Sequence, residues 1–141
     1  KAGRVMVFES SASERGGSLN LRDVRGNVLF ELNIGTLPSK CLFDDVGVAG
    51  QVSSSASFAR LICAVPHDQE KFSKTRLPND YLMQSFFTTD SFYTIDLSDG
   101  TIKNLDGAGA DIDATLLRRF GSKLFFVNRL DKKLYAFTLP E

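Results

Sequence analysis

The sequence predicts an all-β fold assembled from similar antiparallel meanders, and three observations lead there. Short runs rich in β-branched and aromatic residues recur along the chain. Each is followed by a stretch in which apolar and polar residues alternate. No window keeps apolar residues at three-and-four spacing for three turns, so the pattern holds no long helix. With 141 residues, 43% of them hydrophobic, the chain has enough apolar mass to bury a core without metals or a disulfide framework, and a single domain over 1–141 is expected.

The first unit, about residues 1–36, begins with "RVMVFES" (Arg4 to Ser10), an unbroken apolar run of the kind that marks a buried strand. "SLNLRDV" (Ser18 to Val24) follows with period-two alternation, which buries one face and wets the other. The turn "RGN" leads into "VLFELN" (Val28 to Asn33). The second unit, about 37–110, opens with "KCLFD" (Lys40 to Asp44) and continues through the apolar run "ARLICAV" (Ala59 to Val65) and the alternating "SFYTIDL" (Ser91 to Leu97). It then passes through "SDG" into "TIKNL" (Thr101 to Leu105). An Asp-Gly pair between alternating runs is a strong hairpin signal, because Gly takes the positive φ of a tight turn. The third unit, about 111–141, contains "ATLLRRF" (Ala114 to Phe120), "SKLFFVN" (Ser122 to Asn128) and "KLYAFTL" (Lys133 to Leu139).

Self-similarity at about 60 residues points to a propeller or an array. The expected architecture is an incomplete β-propeller of about three antiparallel blades, the first lacking its opening strand and the last its closing one. Propellers have roughly four to eight blades, so three do not close a ring. Either the chain is a segment of a longer propeller or identical copies complete it, and the strand edge beside Lys133 to Leu139 is expected to be paired. The competing arrangement closes the ten strands into a small barrel or sandwich.

Two stretches interrupt the repeat. "VGVAGQVSSSASF" (Val46 to Phe58), small-residue rich and low in charge, reads as a mobile loop or a flat hairpin. The other is the long insertion inside the middle unit, where "NDYLMQSFF" (Asn79 to Phe87) has room for one or two helical turns and reads as a lid. Phe72, Tyr81, Phe86 and Phe87 fall in this insertion, outside the strand register. Loops of this type emerge at one end of a propeller, where binding surfaces form, so these four rings are the partner-binding candidates. Removing residues 71–89 is expected to abolish partner binding and leave folding intact. The remaining aromatic residues, from twelve Phe and three Tyr in all, are assigned to ring packing between sheets.

Chemistry is sparse. Seventeen basic and seventeen acidic residues cancel, which argues against a nucleic-acid partner. No apolar run approaches the roughly 18 to 20 residues that cross a bilayer, and no basic-then-apolar leader precedes Lys1. His67 is the single histidine, beside Asp68 and Glu70 in a loop, with no second His for a metal site. A serine triad would have to use it, and no Gly-x-Ser-x-Gly elbow is present. Asp44 with Asp45, and Asp111 with Asp113, are oxygen-ligand pairs on paper, yet no Asp-x-Asp-x-Asp-Gly loop surrounds them, and paired loop carboxylates ordinarily form solvated turns. "ERGGS" and "DGAGAD" lack phosphate-loop spacing. No catalytic residue, metal or cofactor is expected.

"FGSKLFFVNRLDKKLYAFTL" (Phe120 to Leu139) resembles a TolB-type, WD-repeat-like propeller blade, with a Gly turn before an apolar strand and an Asp-containing turn before a Leu-Tyr strand. "DSFYTIDLSDGTIKNL" (Asp90 to Leu105) is similar to the outer half of a neighbouring blade, and "KCLF…LICAVP" resembles a paired-cysteine arrangement of carboxy-terminal propellers in bacterial cell-envelope proteins. Read alone, Cys41 and Cys63 are either two buried thiols or partners across an antiparallel strand pair. The resemblance favours the disulfide and with it an oxidising, extracytoplasmic setting: periplasmic, cell-surface or secreted. It implies a noncatalytic interaction or structural module, with a protein partner or identical copies completing the propeller. The alternative is a propeller that gates or supports a peptidase-like enzyme whose catalytic part lies outside this chain.

Overall fold

The computed structural model describes residues 3–11, 13, 15–44, 60–105 and 111–140. Three antiparallel sheets follow one another in chain order. The first contains β1 (Arg4–Ser10), β2 (Gly17–Asp23) and β3 (Val28–Leu32); the second β4 (Cys41–Asp44), β5 (Arg60–Pro66), β6 (Asp90–Asp96) and β7 (Ile102–Asn104); the third β8 (Ala114–Phe120), β9 (Lys123–Asn128) and β10 (Lys133–Thr138). Each is a simple meander, so every connection inside a sheet joins neighbouring strands. The strand pattern matches the three apolar runs and their alternating successors. The loop expected at 46–58 lies outside the described residues.

Period two explains how the sheets stack. On β5, Leu61, Cys63 and Val65 face the first sheet, where they meet Leu19, Leu32 and the half-buried Phe8 and Phe30. The alternate residues Ile62 and Ala64 face the third sheet and pack with Leu117, Leu124 and Phe126. Rings fill that second interface: Phe92 lies 5.0 Å from Phe126 and 5.7 Å from Phe137, centroid to centroid. The middle sheet is therefore covered on both faces, and Leu61, Ile62, Cys63 and Ala64 are all 0% exposed.

Cys41 and Cys63 stand directly opposite each other on β4 and β5 and are joined by a disulfide, with Cα atoms 4.1 Å apart. The turns that close β2–β3 and β6–β7 repeat one design. Asp23 O accepts from Gly26 N at 3.0 Å and Asp96 O from Gly100 N at 2.9 Å, with both glycines at positive φ. In each turn the Asp carboxylate takes further donors: Asn27 Nδ2 (2.9 Å), Asn27 N (2.9 Å) and Arg25 N (2.8 Å) on Asp23, and Ser98 Oγ (2.5 Å) and Ser98 N (2.8 Å) on Asp96. These bonds, the side-chain ones first, hold both carboxyls below their ordinary value of 3.8. Asp-x-x-Gly and Asp-x-x-x-Gly thus mark the same corner in two successive sheets.

The insertion differs from a lid. It forms two short helices, α1 (Gln69–Lys74) and α2 (Asn79–Leu82), and folds inward. Phe72, Leu77, Tyr81 and Phe86 make a third core cluster with Leu37, against which Phe8 of β1 packs.

Candidate functional site

The end of the stack that carries the insertion gathers most of the buried polar groups. Lys40, in a single 3-10 turn over Pro38–Lys40, precedes β4; Asp113 holds the same place before β8. Both side chains are fully buried, as is that of Asp90 at the start of β6. Lys40 Nζ donates to Asp90 Oδ2 (2.5 Å), Asp113 Oδ1 (2.6 Å) and Ala114 O (3.1 Å), which uses all three of its protons. Asp90 also accepts from Thr88 Oγ1 (2.7 Å) and Ala114 N (2.8 Å). Burial pushes its carboxyl up, opposed by the Lys40 ammonium and by these donors.

Asp113 is shared onward. Its Oδ2 accepts from Thr88 N (2.9 Å) and Arg129 Nη1 (2.7 Å), and Arg129 Nη2 reaches Tyr81 O (2.7 Å). The Arg129 guanidinium lies 3.6 Å from the Tyr81 ring centroid and 4.9 Å from that of Phe87, while Lys40 Nζ approaches the Tyr81 ring at 5.5 Å. Two cations and two carboxylates balance, every charge has partners, and solvent does not reach the centre. The cluster fastens the second sheet, the third sheet and the insertion together, and beside it the Tyr81 hydroxyl is buried with no hydrogen-bond partner among the described residues.

The first sheet is tied to the same insertion. Gly16 N donates to Thr75 O (2.8 Å), Arg15 Nη1 to Lys74 O (2.8 Å) and Ser10 Oγ to Leu77 O (2.6 Å). Gly16 has φ +63°, and a Cβ there would lie 2.8 Å from Ser73 O, so this approach requires glycine. The Gln69 amide bridges to the segment between β3 and β4, accepting from Gly35 N (2.6 Å) and donating to Gly35 O (3.0 Å) and Pro66 O (2.8 Å).

Of the four rings proposed for partner binding, Phe72, Tyr81 and Phe86 are buried at 2%, 5% and 6% exposure, and only Phe87, at 38%, shows substantial surface. The helix α1 turns Phe72 inward while its charged residues stay wet, and Arg129 covers Tyr81. What remains accessible here is a pair of clefts that share Pro66 and His67. One, of about 320 Å³, lies among Ile34, Val65, Tyr93 and Ile102; the other, of about 400 Å³, among Asp68, Lys71, Phe87, Thr88 and Thr89. His67 is exposed, and its Nε2 lies 2.5 Å from Ser91 Oγ. Among the described residues no carboxylate bonds to the other ring nitrogen.

The remaining acidic candidates separate. Asp44 is buried and bound by Arg60 Nε (2.7 Å) and Arg119 Nη1 (2.6 Å), the latter from the third sheet. Asp45 lies outside the described residues. Asp111 is exposed at φ +62°, and Asp113 points into the buried cluster, so the two do not converge. Among the described residues no group of three or more His, Cys, Asp or Glu is placed to hold a metal ion, and no helix is long and apolar enough to cross a membrane. No protein-family model, no curated protein and no solved structure matches this chain.

Proposed function

We propose that the three sheets are consecutive wedges of a TolB-like or WD-repeat-like propeller, and that the chain is a noncatalytic interaction or structural module of an exported or envelope-associated protein. One observation carries this reading. The runs on β1, β5 and β9 are alike in sequence and differ in cover: β5 has a sheet on each face, whereas the outward face of β1 carries Val5, 50% exposed, and that of β9 carries the half-buried Phe125 and Val127. An unbroken apolar strand is the sequence of a two-sided environment. The third sheet's bare face extends to Phe120 and Leu134, 70% and 69% exposed, and contiguous exposed apolar side chains of this kind mark interaction surfaces.

The first sheet's outward face supports the same reading by a different chemistry. It carries Glu9, which accepts from Asn20 Nδ2 and Arg22 Nη2, and among the described residues Asn20 Oδ1 and Arg22 Nε are buried there without a hydrogen-bond partner. Buried polar atoms ordinarily find partners, and a neighbouring wedge would supply them. The disulfide fits an oxidising compartment. Amide hydrogen exchange tests the module: those amides of residues 133–138 that point away from β9, on the open edge of β10, exchange fast in dilute chain and gain protection as concentration rises. Exchange that ignores concentration and partners alike would remove the proposal.

A further inference from the structure

We infer that the two clefts flanking His67 form one binding site for an apolar carboxylate, a use that is independent of how the outer sheets are covered. The smaller cleft is an apolar slot. Ile34, Val65, Ile102 and the ring of Tyr93 supply its walls, and the amide of Gln69 is spent on Gly35 and Pro66. Its volume, about 320 Å³, suits a leucine- to phenylalanine-sized group.

The larger cleft offers donors. Asp68 Oδ1 is taken by Lys71 N (2.8 Å) and the Thr88 hydroxyl by Asp90 (2.7 Å). Three groups stay available among the described residues: the Lys71 ammonium, which sits 5.6 Å over the Phe86 ring and makes no ion pair, the Thr89 hydroxyl, and the second nitrogen of His67. Lys71 is exposed, so its ammonium stands at the rim of the cleft, where a carboxylate entering beside it gains a charge-assisted hydrogen bond. Asp68 also lines this cleft, and its charge offsets that of Lys71. The site therefore suits a singly charged carboxylate and disfavours a dianionic phosphate. His67 stands in both walls, so the acid and its apolar substituent would lie on either side of the imidazole. A free acyl amino acid and the carboxy-terminus of a peptide share this chemistry.

The test is a titration of the intact chain, followed by calorimetry or amide chemical shifts, with N-acetyl-leucine, its amide, a pentapeptide ending in free Leu, and inorganic phosphate. Saturable binding of the two carboxylates is expected, with the amide about 10-fold weaker or worse, as loss of a charged hydrogen bond requires, and with phosphate silent. Lys71→Gln should lose a similar factor and Ile102→Ser, on the edge strand β7, a smaller one. Lys74→Gln, on the same helix and already paired with Glu70, should change nothing. A tighter peptide identifies a chain terminus as the source, and equal binding a small acid; both support the site. Equal affinity for acid and amide, equal losses from Lys71→Gln and Lys74→Gln, or no saturable binding by about 10 mM would overturn it.

Discussion

The strands β5 and β1 each open on an Arg followed by a run of apolar residues, and they live in different surroundings. "RLICAVP" is buried along almost its whole length, while "RVMVFES" is half-covered on one face and open on the other. The difference lies in the neighbours: β5 has a sheet on each side and β1 has one. A continuous apolar run costs solubility unless both faces are dry, so the open faces of the first and third sheets read as surfaces with an unmet demand. The middle sheet shows what meeting it looks like.

The largest way to probe that contrast is at the charge cluster holding the covered sheet to the third. Lys40→Met leaves Asp90 and Asp113 buried beside each other, with only Arg129 to compensate, and is expected to cost about 3–5 kcal/mol by urea unfolding. If the variant unfolds at the wild-type midpoint, the cluster is not a fastening. Within the apolar interfaces, Ile62→Ala should cost about 2–5 kcal/mol, since Ile62 is sealed between two sheets. Val5→Ala on the open face should stay within about 0.5 kcal/mol in the dissociated chain. Equal costs at the two sites would erase the distinction.

Reducing Cys41–Cys63 should lower stability by about 3 kcal/mol, the chain-entropy value for a loop of this size, read as the shift in urea midpoint with and without a reductant. The smallest effect belongs to the corner aspartates. Their folded pKa values lie below those of the unfolded chain, so their contribution is complete above the ordinary carboxylate value of 3.8 and is lost as pH falls through the lower, folded values. A shallow loss of stability below about pH 3.8 is expected, and it should weaken in Asp23→Asn and Asp96→Asn. A loss starting well above that range would point to other groups.

Much of this was legible in the residues. The strands followed from apolar runs and alternation, and the hairpin corners from Asp and Gly, because both signals are local. Cysteines at corresponding places in successive strands marked a possible pairing that the register then realised. The inward turn of the insertion was not legible: Phe72, Leu77, Tyr81 and Phe86 sit in two helices too short to show a period, and their burial depends on sheets far away in sequence. The charge cluster was hidden for the same reason, although Lys40 and Asp113, opposite charges immediately before equivalent strands, were a readable hint. His67 was placed in a loop by the sequence, but its position between two clefts needed the fold.

The decisive measurement is the mass of the 141-residue chain in solution by sedimentation equilibrium across a wide concentration range, with a Phe120→Ser/Leu134→Ser variant alongside. Bare faces that need cover predict a concentration-dependent mass above that of one chain, which the double variant returns to a folded single chain. A wild-type chain that stays strictly monomeric at every concentration, as stable and soluble as the variant, would contradict it.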